Sequence, residues 1–147
     1  MTRANPECRM DQHNSRIGGL GEVALRVNDL ARMTDFYAER IGLEVIKRFP
    51  HAVFFKIAEG FHGHTQVLAL FDRKGDEPEL EVGQSTTTLD HFAFAIAAAD
   101  YEAEKARLES AGLEVTTAYH EWVGWRSLYV QDPEGNEVEL VCKCDDV

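Results

Sequence analysis

Apolar and polar positions change period several times along this chain, and each change marks an element. Between 23 and 27 they alternate, with Val23, Leu25 and Val27 apolar, as in a strand buried on one face. Asn28 and Asp29 then offer an N-cap. Leu30, Met33, Phe36, Tyr37 and Ile41 keep one side apolar at helical spacing, which predicts a helix to about Arg40. Gly42 stops that helix, extended structure resumes over 43–49, and two more strands are predicted over 52–57 and 66–71. Two stretches lack any such period: residues 1–17, polar and read as a flexible arm, and the charged, Gly- and Pro-bearing segment 74–87, read as a linker. Beyond the linker the order recurs, with a strand over 91–96, a helix over 100–111, a stop at Gly112 and a strand from Leu113. Two closing strands, 125–131 and 137–142, flank the turn Asp132-Pro133-Glu134-Gly135-Asn136.

Each half therefore reads as βαβββ, and the fold class as α+β: module one over 18–73 and module two over 88–147, within one domain spanning 18–147. A single module leaves an apolar sheet face uncovered, so two must pack together, within the chain or across a dimer, their curved mixed sheets enclosing a cleft. A Gly-Leu-Glu-Val tetrapeptide in each half aligns the copies. From Val45, 24 residues lead to Ala69, and from Val115, 24 lead to Glu139. Backwards, 20 residues separate Gly42 from Glu22, and 21 separate Gly112 from His91. Glu22 with Ala69, and His91 with Glu139, thus hold matching places, and all but Ala69 are able to bind a cation.

Composition narrows the partners. With 15 basic and 26 acidic residues among 147, the net charge of -11 argues against nucleic acid and anionic membrane surfaces. The longest apolar run, 92–99, falls far short of the roughly 20 residues of a membrane span, and the polar N-terminus has no signal-peptide core, so a cytoplasmic location is expected. Cys8, Cys142 and Cys144 form neither a disulfide framework nor a zinc motif; Cys142 and Cys144 read as same-face positions of a last strand. Glu139 stands out: its neighbours Val138, Leu140 and Val141 are apolar, and a carboxylate in such a strand is costly unless paired, hydrogen-bonded or bound to a cation.

Three runs carry a family resemblance: Glu22-Val-Ala-Leu-Arg-Val-Asn-Asp-Leu30 with Phe36-Tyr37 and Gly42-Leu43; Asp90-His91-Phe-Ala-Phe; and Asp132-Pro133 with Gly135-Asn136 and Glu139-Leu140. Over residues 18–143 the chain resembles the vicinal oxygen chelate superfamily, which holds glyoxalase I, extradiol dioxygenases, fosfomycin-resistance enzymes and metal-free bleomycin-binding proteins. The resemblance implies metal ligands at the start of each module's first strand and in its last strand, here Glu22, His91 and Glu139. The alternative for the last two is a solvent-facing carboxylate and a satisfied core histidine. Glu22 is a departure, since many relatives carry His or Gln there. Ala69 is another, since glyoxalase I places there a carboxylate that binds metal and moves the substrate proton. Two carboxylates and one imidazole with open positions suit Fe(II) or Mn(II), with Zn(II) or Ni(II) as alternatives.

The spacing from His120 through Leu128-Tyr129, Asp132-Pro133 and Gly135 to Glu139 is similar to the extradiol ring-cleavage motif, departing at Ala118. That similarity implies an oxidoreductase acting on a small vicinal diol or enediol, with His120 and Tyr129 hydrogen-bonding substrate or oxygen. His64, in His62-Gly63-His64-Thr65, is the matching acid/base candidate; the alternative is that His62, His64 and His120 are exposed loop residues. A glyoxalase-like lyase, isomerase or thiol transferase using Lewis-acid chemistry is the second reading, and a metal-free drug-binding protein of the bleomycin-resistance type the third. Trp122 and Trp125 are candidates to wall an aromatic substrate pocket or to cover the sheet edge. Arg126 is a candidate for an anionic substrate group or for a plain surface ion pair. Ser127 has no sequence-adjacent base and is not read as a nucleophile. A homodimer is expected, binding a small-molecule substrate.

Overall fold

In the computed structural model, residues 16–73 and 89–144 are described. Module one runs β1 (Glu22–Val27), α1 (Leu30–Asp35), a π-helical continuation (Phe36–Ile41), β2 (Glu44–Phe49), β3 (Ala52–Glu59) and β4 (Thr65–Asp72). Module two runs β5 (His91–Ala95), α2 (Tyr101–Ser110), β6 (Thr116–His120), β7 (Trp125–Gln131) and β8 (Glu137–Lys143). The sheet orders β1-β4-β3-β2 and β5-β8-β7-β6 repeat one another, each with its first and last strands parallel and the remaining pairs antiparallel. The α+β class and the two-module plan are as the sequence indicates, and the two sheets stay separate rather than closing into one. The arm and the linker lie almost wholly outside the described residues.

Helix one departs from expectation in its second half. Asp29 caps it as predicted, its carboxylate accepting from Arg32 N at 3.0 Å. From Phe36 the backbone widens to a π-helix, which buries the adjacent Phe36 and Tyr37 together with Ile41. Periodicity did not reveal this, because Met33, Tyr37 and Ile41 fit an α-helical stripe equally well. Gly42 ends it at φ 91°, a left-handed conformation glycine adopts without penalty. The strand expected from Leu113 begins only at Thr116. Cys144 falls just after β8 instead of within it, whereas Cys142 is buried in the strand.

One core serves both modules. Leu25, Val27, Phe55, Leu68 and Leu70 from sheet one join Phe94, Leu128, Val130, Val138 and Leu140 from sheet two, with Tyr37 and Leu108 from the helical segments. Polar contacts clasp this core from both ends. Tyr37 Oη donates to Asp132 Oδ2 at 2.6 Å, both groups being buried, and the Tyr37 ring lies 6.4 Å from that of Phe92. Asp132 also accepts from Glu134 N, Asn136 N and Asn136 Nδ2, so the β7–β8 turn is tied around it. Within that turn Glu134 reaches across to accept from Asn28 N at 2.7 Å and Asp29 N at 3.2 Å, placing a carboxylate at the start of α1 where the helix dipole favours it. At the other helix ends Arg107 donates to Arg40 O and Ile41 O, and Arg40 donates to Ala111 O. The modules thus pair within one chain through their helical segments and turns.

Burial, and then the Asp132 carboxylate, push the Tyr37 phenol well above its ordinary range. Since the unfolded chain ionises this group near pH 10 and the folded chain does not, the stability it supports is complete below that pH and is lost as pH rises beyond it. Tyr37→Phe should lower stability by about 1.5–3 kcal/mol in urea unfolding at pH 7, the range for a hydrogen bond to a charged group. It should also flatten the decline in stability above about pH 10.

Candidate metal centre

Register carries the internal repeat into space. In the parallel pair β1/β4, Glu22 lies opposite Val67 and Ala24 opposite Ala69; in β5/β8, His91 lies opposite Glu137 and Ala93 opposite Glu139. Strand alternation then sends Leu25 and Val27, or Val138 and Leu140, to the common core, and sends Glu22, His91 and Glu139 to the open face of their sheet. On the same open face of sheet two stand Tyr129, directly opposite Glu139, and Ser127, opposite Val141, with His120 opposite Trp125 on the outer strand pair.

These side chains form one hydrogen-bonded cluster. His91 Nε2 lies 3.1 Å from Glu139 Oε2, while His91 Nδ1 meets Asp90 Oδ1 at 2.6 Å. Glu139 is buried, and its other oxygen, Oε1, accepts from Ser127 Oγ and from Tyr129 Oη at 3.3 Å. Tyr129 Oη is also 3.2 Å from His120 Nε2. The hydrogen bond that His91 donates to Asp90, with the nearby Glu139 and Glu137 carboxylates, raises the His91 pKa despite the opposing effect of burial. Burial chiefly raises that of Tyr129, which is therefore a neutral donor near pH 7.

The donor set fits a divalent ion. A buried carboxylate whose Oε1 is already satisfied leaves Oε2 to share a cation with the imidazole nitrogen it faces, and Asp90 holds the ring from behind as outer carboxylates do for metal-bound histidines. Asp90, His91 and Glu137 form a second group around the same ring, their ligand atoms within 4.8 Å of one another. Among the described residues no such group of three includes Glu139 or Glu22, and Glu22 stands on the other sheet.

The structure therefore brings together His91, Glu139, Tyr129 and His120, and leaves Glu22 and His64 on module one. His64 lies at the entry to β1, its Cε1 3.4 Å from where a Cβ on Gly21 would sit, in a recess with Ile17, Leu20 and Phe61. Trp125 is on the sheet-two open face, 6.2 Å ring to ring from Trp122, which is 82% exposed in the β6–β7 turn. Arg126 points to the opposite face, where it pairs with Glu102 at 2.8 Å and stacks 3.8 Å over the Tyr101 ring. Sequence reasoning passed over Ser127 and Asp90 as functional groups. Ser127 was accessible through strand alternation, being two residues before Tyr129 and so on the same face; Asp90 was visible as the residue preceding His91, but nothing in the pattern says that its carboxylate turns back onto the ring.

The family is shown by comparison with known proteins. Residues 19–140 match the Glyoxalase/Bleomycin resistance protein/Dioxygenase superfamily model, and the chain belongs to that superfamily. It is 29% identical over 121 residues, covering 82% of this chain and 78% of the relative, to the glutathione transferase FosA of Serratia marcescens. It is 31% identical to the crystal structure of lactoylglutathione lyase from Agrobacterium tumefaciens, with 87% of this chain and 96% of that one aligned at a TM-score of 0.65. A glyoxalase/dioxygenase from Nostoc punctiforme shares the fold at 20% identity and a TM-score of 0.69, over 86% of this chain and 92% of that one. Among the described residues no helix is long and apolar enough to cross a membrane.

A buried carboxylate kept for binding is expected to cost stability that an apolar pair would recover. The double variant Glu139→Leu, Ser127→Ala should be at least as stable as the parent in urea unfolding with chelator present, the difference lying between zero and about +4 kcal/mol. A loss of about 3 kcal/mol or more would mean that the pair is structural.

Proposed function

We propose that this protein is a divalent-metal enzyme acting on a small substrate that offers two adjacent oxygens, and that His91 and Glu139 hold the metal. The observation that carries this reading is the approach of His91 Nε2 to Glu139 Oε2 at 3.1 Å on the open face of a sheet, with each group secured from behind by Asp90 or by Ser127 and Tyr129. Glu22 would be the third ligand. Because it lies on the other sheet in one chain, we assign its supply to module one of a second copy in a homodimer, whose open face carries Phe54 and Phe71, rings 5.7 Å apart, as a cover for the site. Fe(II) and Mn(II) suit two carboxylates and one imidazole best, with Zn(II) and Ni(II) as the alternatives.

A bound ion would supply Lewis-acid polarisation of the substrate oxygens and, for iron, redox chemistry with dioxygen. The chain's own part is positioning and proton handling. Tyr129 Oη, between Glu139 Oε1 and His120 Nε2, can donate to a substrate oxygen beside the ligands and be resupplied from His120. Trp125 borders the same face and is placed to pack on an apolar or aromatic substrate. Ala69, at the register position of Glu139, offers module one no carboxylate for proton abstraction, so His64 remains the candidate base on that side.

The reaction we favour is extradiol-type oxidation of a vicinal diol, on the strength of the His120–Tyr129 pair. The second reading, a lyase or thiol transferase step, draws on the likeness to lactoylglutathione lyase and to glutathione transferase FosA. Elemental analysis of protein purified anaerobically without chelator should find about one ion per chain, and the Glu139→Ala protein should have lost it. Iron or manganese with oxygen uptake on a catechol panel would uphold the oxidative reading; zinc or nickel with glutathione consumption on aldehydes or epoxides would uphold the second. Folded protein that takes up none of these ions would leave a metal-free binding cleft.

A further inference from the structure

We propose that Ser127 is a positioning residue for the metal-binding carboxylate, holding Glu139 so that a single oxygen, Oε2, is presented to the ion; the proposal rests on the metal reading of His91 and Glu139. Ser127 has no exposed surface, and its hydroxyl donates to Glu139 Oε1. Tyr129 donates to the same oxygen at 3.3 Å, so both donors act on one side of the carboxylate and leave the other facing His91. Register explains why they converge: Tyr129 lies opposite Glu139, and Ser127 lies one same-face step along β7, opposite Val141.

The backbone that carries the hydroxyl is itself anchored from the core. Ser127 O accepts from Tyr101 Oη at 3.2 Å, and Tyr101 is the buried first residue of α2, covered on its ring face by the Arg126 guanidinium. The chain of contacts runs from helix to strand to carboxylate without a rotatable, solvent-exposed link. A serine oxygen so placed does not act as a nucleophile, because the group it meets, Glu139, is the one that also faces His91. Its effect is twofold. Tying up Oε1 disfavours a two-oxygen grip on the ion and keeps coordination positions open for substrate, and holding Oε2 in place beforehand removes the cost of ordering the ligand when the ion binds.

The test measures Mn(II) affinity by electron paramagnetic resonance of the free ion, and the carboxylate stretching bands of Glu139 by isotope-edited infrared difference against Glu139→Gln. Parent, Ser127→Ala and Ser127→Cys proteins are compared, each checked for folding by its urea midpoint. Ser127→Ala should weaken Mn(II) binding by about 10- to 100-fold, as loss of an outer partner does, and the wide separation of the two stretching bands that marks one-oxygen binding should narrow. Ser127→Cys, similar in size but a weaker donor, should fall between the two and keeps the test open if the alanine variant does not fold. Ser127→Ala affinity within about threefold of the parent, well below the loss expected for an outer partner, with unchanged bands would overturn the role and make Ser127 a plain core residue. Parent protein whose Mn(II) binding is unaffected by Glu139→Gln would overturn the metal reading, and the positioning role with it.

Discussion

The hydrogen bond from Tyr37 to Asp132 is the constraint on which the rest of this structure depends. It joins a helical segment of module one to the turn between β7 and β8 in module two, and both partners are buried. Asp132 is at the same time the acceptor around which that turn closes, with Gly135 at φ 84° allowing the chain to double back. The turn sets the register of β7 against β8, and that register puts Tyr129 opposite Glu139. This polar contact therefore links the module interface, the hairpin and the alignment of the candidate ligands. The π-helical turn over 36–41 accompanies it, since it is this segment that buries Tyr37 beside Phe36.

Module pairing through the helical segments has a consequence for the site. Because the helix-bearing faces of both sheets merge into the shared core, the opposite faces remain open, and the ionisable residues sit there. Sheet two carries its own nearly complete cluster; sheet one carries Glu22 and, at the position of Glu139, only Ala69. The two halves of the repeat have thus diverged in chemistry while keeping the same register. Under the proposed shared site, one face would supply most of the ligands and the other mainly cover.

Much of this was legible in residue pattern alone. Strand alternation and helical spacing located the eight strands and the two α-helices of the described residues, because these elements turn one face to the core and are punctuated by Gly, Asn-Asp or Pro-Gly signals. The tetrapeptide repeat aligned His91 with Glu22 and Glu139 with Ala69, and strand register reproduces that alignment. What was not legible depends on distance in space. Glu22 matches His91 in the repeat, yet the repeat does not say whether matched residues meet or sit on separate sheets. His64 reads as an acid/base group from its histidine-rich setting, and local backbone places it against the start of β1. Arg126 was ambiguous because its face depends on the exact register of β7, which sends it to Glu102 and Tyr101. Ser127 was weighed only as a nucleophile and set aside, because its partner is a carboxylate twelve residues further on, across a turn.

Electrostatics give the cluster its purpose. In a protein of net charge -11, three carboxylates, Asp90, Glu137 and Glu139, gather near one imidazole, and the hydroxyls of Ser127 and Tyr129 complete the hydrogen bonding of the buried one. Such a group is poised for a cation rather than for an anion. The most direct measurement is an anomalous-difference map from crystals grown with Mn(II), recorded at the manganese edge. A peak is expected within coordinating distance of His91 Nε2 and Glu139 Oε2, with Glu22 of a neighbouring copy of the chain turned toward it. A map with no peak at that pair, or with manganese bound only on the Asp90 and Glu137 side of the ring, would contradict the metal reading.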